Sequence, residues 1–274
     1  MRFVATLLLW LVTTVALAVA VPSAWAQKTV IDPNGYSAFA ASAAKDPRLQ
    51  EAMAAELTTQ VTARYDVSTD LVRGVAAAYT ASPSFPVQFA TANRIVHRWA
   101  FTDAVSQGEG DEWVIDLAPM LADTSFQQTL ANFNIEPPQS LTVPVTADAQ
   151  ALRPGQLQRL ATWGPWVSVG ATILTGVFAL LTLAAARARG KALAALGISA
   201  LLVGAAGWAA LEIARRDIDD ALNRTTGDIR QVADVMVQHA EASLHQWLNL
   251  TLAAGGVLVV FGVIVSMLGG LRRR

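Results

Sequence analysis

The stretch WGPWVSVGATILTGVFALLTLAAA, Trp163–Ala186, contains no Asp, Glu, Lys, Arg or His. Two more stretches share this property, ALAALGISALLVGAAGWAAL at Ala192–Leu211 and LTLAAGGVLVVFGVIVSMLGGL at Leu250–Leu271. Each is 20 or more residues long, and a helix of that length crosses a hydrocarbon core of roughly 30 Å. The sequence therefore predicts a mainly α-helical integral membrane protein.

The N-terminus supplies a fourth candidate membrane helix, Phe3–Val21. The helix breaker Pro22 and the small residues around Trp25 are typical of a secretory signal peptide cleaved before Gln27. The apolar run is longer than that of a signal peptide and is long enough to span a membrane, which favours a retained anchor. Both interpretations of residues 1–26 deliver the following segment to the same side.

The charges between the candidate spans predict the orientation of the chain. Arg2, the connector 187–191 and the tail 272–274 carry seven basic residues and no acid, so these segments should face the cytoplasm. The other polar segments hold all 21 acids and a net charge of about −8. We therefore expect a multi-pass protein of the bacterial cytoplasmic membrane, with its main domain extracytoplasmic and its C-terminus in the cytoplasm.

These observations divide the chain into eight predicted segments. In order they are an anchor or signal peptide (1–26), an extracytoplasmic domain (27–162), a membrane helix (163–186), a cytoplasmic turn (187–191), a membrane helix (192–211), a long extracytoplasmic amphipathic helix (212–246), a membrane helix (247–271) and a basic tail (272–274).

The extracytoplasmic domain has a mostly helical pattern. Asp46-Pro47 begins a helix with apolar residues at every fourth position, and further helices follow Ser68 and the break around Pro86. Two short runs, 112–117 and 140–145, are rich in β-branched or apolar residues, and they predict a minor two-stranded β element.

The sequence offers no catalytic, cofactor or metal constellation. With no cysteine, the chain has neither a thiolate nucleophile nor a disulfide. Phosphate-binding glycine loops, the zinc motif His-Glu-x-x-His and the serine motif Gly-x-Ser-x-Gly are also missing from the sequence. Asp111, Glu112 and Asp116 are the best carboxylate candidates, but their spacing fits no known calcium loop. We predict a protein that is not an enzyme and needs no cofactor.

A weak candidate polar site lies on one predicted helix, at Asn93, Arg94, His97 and Arg98. Asn93 and His97 share one face, and Arg94 and Arg98 form a neighbouring basic stripe at the i, i+4 spacing. This face is suited to an anion or a lipid headgroup. The simpler interpretation is a polar surface that pairs with nearby acids such as Asp103 or Asp116.

The membrane helices carry small residues instead of ionisable ones, which argues against a transport pathway. These residues recur at intervals of four on two spans, and they predict close helix packing, either within the chain or against another membrane protein. The positions are Gly262, Ser266 and Gly270 on one span and Ala200 and Gly204 on the other.

The segment 212–246 has the apolar spacing of a coiled coil, which must be covered by another surface. This seam is either buried against the domain 27–162 or used as a contact for a partner, while Gly227 is a weak point that could divide the helix in two. Its candidate contact residues are Ile218, Leu222, Ile229, Val232 and Met236. The acidic polar face excludes nucleic acid as a partner.

Several short motifs, in this order between the first and the late membrane segments, resemble a group of uncharacterised actinobacterial, mycobacterial-type multi-pass membrane proteins. They are Asp46-Pro47-Arg48-Leu49-Gln50, Ser84-Phe85, Ala92-Asn93-Arg94 with His97, and Val114-Ile115-Asp116-Leu117-Ala118-Pro119. The resemblance covers most of the chain. It implies this architecture and location, and it implies no activity.

The leading functional expectation is a non-catalytic structural, assembly or regulatory component of the cell envelope. Its partners would be membrane lipids and another envelope protein or a second copy of the chain. The alternative is an extracytoplasmic protein that binds or senses a lipid or another ligand. An apolar cavity among the outer helices would favour the ligand, whereas an exposed apolar seam would favour a protein partner.

Overall fold

The computed structural model describes residues 2–64, 68–102, 114–116, 127–128, 131, 142–144, 155, 157–223 and 227–271. In chain order, the longer helices of this part are α1 (Arg2–Ala26), α2 (Pro33–Ala43), α3 (Pro47–Arg64), α4 (Thr69–Thr80), α5 (Phe85–Phe101), α6 (Gln158–Ala185), α7 (Arg189–Leu222) and α8 (Asp228–Leu271). A π-helical turn, Gln27–Ile31, continues α1.

Four helices are long and apolar enough to cross a membrane, which confirms the prediction of four candidate membrane helices. They are α1 with its π-helical continuation, α6, α7 and α8. The helices α7 and α8 run well beyond the predicted apolar stretches, to 34 and 44 residues. Charged residues end an apolar run, but they do not end a helix, because most of them are good helix formers.

The predicted single helix over 212–246 is wrong as one continuous element. Residues 212–222 are the end of α7, and residues 228–246 are the first part of α8. Gly227 lies between them with φ +76°, in the left-handed region that costs glycine little and other residues more. The division at Gly227 is therefore the correct alternative.

The chain forms two compact units, which we call the membrane unit and the polar unit. The membrane unit consists of Met1–Gln27, Trp163–Ile218 and Ala240–Arg274. The polar unit consists of Lys28–Thr162 and Asp219–His239. The beginning of α8 thus belongs to the polar unit, and the rest of α8 belongs to the membrane unit.

Local sequence explains where the helices of the polar unit begin. The side chain of Asp32 accepts a hydrogen bond of 2.7 Å from the Gly35 amide and caps α2, whose first residue is Pro33. Pro47 begins α3 and Pro86 lies in the first turn of α5, positions at which a helix needs no N–H donor.

The core of the polar unit joins the outer helices to the beginning of α8. Its buried residues are Ala43, Ala44, Leu49, Ala52, Phe85, Val232 and Val235. Met53, Tyr79, Phe89 and Met236 pack against them. Burial raises the pKa of Tyr79 to about 12, so this phenol stays neutral, and its hydroxyl donates to Oε1 of the buried Gln88 at 2.7 Å.

A charged contact lies beside this core, where α3 meets α8. The Arg48 guanidinium bonds the Asp46 carboxylate at 2.9 Å and donates to Oε1 of Gln238, also at 2.9 Å. Hydrogen bonds from Arg48, to which the charge of His239 adds, hold the pKa of Asp46 below its usual value of 3.8.

The polar unit also contains two three-residue strands, Val114–Asp116 and Thr142–Pro144. They pair in antiparallel orientation, with Ile115 opposite Val143.

Candidate functional site

The polar face of α5 is held in place by contacts to α2. Asn93 accepts a hydrogen bond of 3.2 Å from the Tyr36 hydroxyl, and its Nδ2 donates to the Phe89 carbonyl at 2.9 Å. At the next residue of each helix, Nη2 of Arg94 donates to Oγ of Ser37 at 3.1 Å. Burial raises the pKa of Tyr36, so its hydroxyl remains a donor. The predicted polar residues are therefore positioned side chains rather than a freely solvated surface.

His97 is the most constrained member of this face, with only 6% of its surface exposed. Its Nε2 lies 2.9 Å from the carbonyl oxygen of Val30, and a carbonyl can only accept, so Nε2 carries a proton. Its ring stacks on Phe101 with centroids 4.2 Å apart and lies 4.9 Å from the Tyr36 ring. This packing fixes both the orientation and the tautomer of the imidazole.

A cavity of about 370 Å³ opens beside His97, a size within the range of small-molecule sites. Most of its wall is apolar. The lining residues are Ile31, Pro33, Arg94, His97, Arg98, Phe101, Thr102 and Ala161. Arg94 and Arg98 are exposed, whereas His97 and Phe101 are buried. The cavity therefore combines an apolar interior with two guanidinium groups that water can reach.

The chain position of the cavity residues relates them to the membrane helices. Ile31 and Pro33 come directly after α1 and its π-helical turn, and Ala161 lies in the first turns of α6. Trp163 and Trp166 follow Ala161 closely, and tryptophan is enriched at the interface between bilayer and water. In the chain, the cavity residues therefore come directly after one candidate membrane helix and in the first turns of another.

The simpler interpretation pairs Arg94 and Arg98 with the acids Asp103 and Asp116. Asp103 lies outside the described residues, and the Asp116 side chain does too. The carboxylate candidates Asp111 and Glu112 also lie outside them. Within the described part of the chain, no group of three or more His, Asp or Glu residues could hold a metal ion.

The predicted seam does not form one exposed face. Val232 is buried in the core of the polar unit, and Met236 packs against that core. Ile229 is 44% exposed, and Ile218 and Leu222 are partly buried near the end of α7. Val235, which the seam did not include, is 3% exposed and is more deeply buried than any of the five. Residues of the same chain therefore cover Val232 and Met236, in the central part of the seam.

The small residues of the membrane helices pack against each other within the chain. Gly262 and Ser266 of α8 face the backbone of Gly190 on α7. Gly255 of α8 faces Gly197 and Ala200 of α7. These residues therefore make close contacts within the chain.

Two further predicted packing residues complete this comparison. Gly204 faces the side chain of Leu252. Gly270 lies in the last turn of α8, where the side chains are outside the described part of the structure.

The sequence did not predict the polar contacts between helices inside the membrane unit. Trp10 donates from Nε1 to the carbonyl of Ala195 at 2.8 Å, and the hydroxyls of Thr14 and Ser199 are 2.7 Å apart. These contacts join α1 to α7. Residues 185 positions apart show no periodicity that links them, so helix patterns could not identify these pairs.

A second group of polar contacts joins α7 to α8. Nη2 of Arg215 donates to Glu241, which is 7% exposed, at 2.9 Å. The Trp208 ring stacks on His245 with centroids 3.8 Å apart, and its Nε1 donates to Oδ1 of Asn249 at 3.2 Å. The clustering of tryptophan near the ends of the spans was visible in the sequence, but the partners of Trp208 were not.

Comparison of the chain with protein-family models, with curated proteins and with solved structures finds no match. The resemblance to actinobacterial membrane proteins therefore stays a prediction, and the function must be inferred from this geometry.

Proposed function

We propose that this protein binds or senses an amphipathic lipid of the bacterial envelope, on the extracytoplasmic side of the cytoplasmic membrane. The observation that carries the proposal is the cavity of about 370 Å³ beside His97, with its apolar wall and its exposed arginines. The protein acts through binding rather than catalysis, and membrane lipids are its first partners.

The shape and the chemistry of the cavity support an amphipathic ligand. The apolar residues Ile31, Pro33, Phe101 and Ala161 offer a surface from which water is favourably displaced by a hydrocarbon chain. A purely polar metabolite would lose its hydration against these four residues, whose side chains form no hydrogen bonds.

Larger grooves in the membrane unit are weaker candidates. They have volumes of about 530 to 640 Å³ and almost wholly apolar walls. The polar side chains that line these grooves are neutral, such as Thr13 and Ser199, and no charged side chain lines them to bind a headgroup. The cavity in the polar unit does offer such groups.

A structural or assembly role remains the second candidate. The predicted seam supports it less, because Val232 and Met236 pack within the chain. It is favoured instead by apolar side chains on the surface of the polar unit, among which Leu71 is 67% exposed and Val87 is 58% exposed. A second copy of the chain or another envelope protein could cover these side chains.

Photo-crosslinking in nanodiscs tests lipid binding directly. The full-length protein is reconstituted with a phospholipid that carries a diazirine on its acyl chain, and the labelled peptides are identified by mass spectrometry. We expect label on the end of α5 and on the beginning of α6. Ala161→Phe places a larger side chain in the cavity. The lipid then loses apolar contacts equivalent to a few methylenes, so this labelling should fall about tenfold or more.

Leu160→Phe is the matched control, because Leu160 is 51% exposed and does not line the cavity. Both variants must keep the melting temperature of the parent protein. Label confined to the membrane unit, or equal labelling of the two variants, would refute the proposal.

A further inference from the structure

We propose that the cavity selects a lipid with a phosphate headgroup, and that Arg94 and Arg98 bind this phosphate. This inference rests on the proposed function and adds the chemical class of the ligand. The two arginines are one turn apart on α5, and residues at this spacing are neighbours on a helix surface, with about 5–6 Å between their Cβ atoms. Both line the same cavity.

The charges of these two arginines are not neutralised by acids in the described part of the polar unit. Three other arginines of that unit pair with described acids, Arg48 with Asp46, Arg73 with Asp70 and Arg230 with Asp234, whereas Arg159 does not. Arg94 and Arg98 have no described acid within ion-pair distance. Two adjacent guanidinium groups repel each other, and a bound anion would relieve this repulsion.

The donors at the edge of the cavity suit a phosphate in particular. A guanidinium presents its N–H groups as a planar fork that matches the oxygens of phosphate in a bidentate manner, and such charge-assisted bonds are strong. Arg94 uses one of its donors on Ser37 and retains the others.

The apolar interior identifies the source of the phosphate as a lipid rather than a free ion. Inorganic phosphate would contact the two arginines and leave Phe101 and Ala161 unused. In a phospholipid the headgroup contacts the arginines, while the beginning of an acyl chain covers the apolar wall. The ligand is therefore an anionic phospholipid, a class in which the phosphate charge is not cancelled by a headgroup cation.

The test compares two photoactivatable lipids with identical acyl chains in phosphatidylcholine nanodiscs that contain the full-length protein. One probe is phosphatidic acid, and the other is phosphatidylcholine. We expect phosphatidic acid to label the polar unit about tenfold more strongly, the effect of one or two charge-assisted hydrogen bonds. Arg94→Gln combined with Arg98→Gln should reduce this preference to near unity.

Conservative and matched variants separate recognition from general charge. Changing both arginines to lysine keeps the charge and loses the planar fork, so part of the preference should be lost. Arg73→Gln is the control, because Arg73 is an exposed arginine of the same unit that does not line the cavity. An equal loss of preference in Arg73→Gln would overturn the assignment.

The remaining outcomes distinguish this inference from the proposed function. Equal labelling by both probes, with both blocked by Ala161→Phe, would refute phosphate selection and leave the lipid cavity standing. Labelling of the polar unit by neither probe would refute both. Displacement of phosphatidic acid by inorganic phosphate at similar concentration would show an anion site and overturn the lipid assignment. If a diazirine-labelled fatty acid labels the polar unit as strongly as phosphatidic acid does, the arginines bind a carboxylate as well as a phosphate, and the assignment to phosphate is wrong.

Discussion

Two neighbouring glycines of α8 allow the packing of the membrane helices to be tested with one methyl group. A Cβ added to Gly255 would lie 2.8 Å from the carbonyl oxygen of Gly197 and 2.9 Å from the amide nitrogen of Leu201. A Cβ added to Gly256 would meet no atom within 4 Å. Gly255→Ala and Gly256→Ala therefore make the same chemical change, one against a facing backbone and one into open space.

The difference in stability follows from this geometry. Both substitutions gain about 1 kcal/mol of helix propensity, and this gain cancels when the variants are compared. In Gly255→Ala, α7 and α8 must separate by about half an ångström, because ordinary contacts begin at 3.4 Å. Strain of this kind in a packed interior costs about 1–3 kcal/mol. Gly255→Ala should be less stable than Gly256→Ala by about that amount.

Thermal unfolding of both variants in the same detergent measures this difference. At about 2–4 °C per kcal/mol, Gly255→Ala should melt several degrees below Gly256→Ala. Gly197→Ala should behave like Gly255→Ala, and the double variant should lose less than the sum, because one shift of the helices accommodates both methyl groups. Equal melting temperatures for the Gly255 and Gly256 variants would refute close packing of α7 against α8.

Three further predictions concern other contacts. Because the pKa of Asp46 is lowered in the folded protein, its carboxylate stabilises the fold above the usual pKa of 3.8, and this stabilisation is lost as the pH falls through the lowered value. Between about pH 7 and about pH 3, the melting temperature of Asp46→Asn should therefore fall less than that of the parent protein. An equal fall would contradict this. Tyr79→Phe leaves a buried glutamine without its 2.7 Å donor and should cost about 1–3 kcal/mol in chemical denaturation, with an unchanged midpoint as the contrary result. Because Trp10 of α1 bonds the Ala195 carbonyl, the intact mass of the membrane-extracted protein should include residues 1–26, and a mass without them would support cleavage.

The membrane helices could be predicted because their signal is compositional. The absence of charge in Trp163–Ala186 depends on no other part of the chain, since hydrocarbon excludes charged side chains wherever they occur. The ends of the helices could not be predicted in this way. Residues after Leu211 are polar but remain good helix formers, so α7 continues to Leu222.

The candidate site was predictable only in part, for a related physical reason. The spacing of Asn93 and His97 follows from helix geometry and could be obtained from the sequence. Their partners Tyr36 and Val30 lie 57 and 67 positions away in the chain, and no local pattern encodes such distances. The cavity was equally hidden, because it requires Ala161 to be placed beside α5.

The seam shows why periodicity alone assigns a surface but not its partner. An apolar face lowers the free energy by leaving water, whichever surface covers it. The spacing of Val232 and Met236 predicted a face that must be covered. In the structure, Val232 belongs to the same buried core as Leu49 and Phe85, and Met236 packs against this core. Val235 falls outside a strict heptad and yet is buried, because helices of the polar unit cover a broader face than a coiled-coil partner would. A function that depends on this seam would have to open the core, whereas a function that depends on the cavity at His97 leaves the core intact.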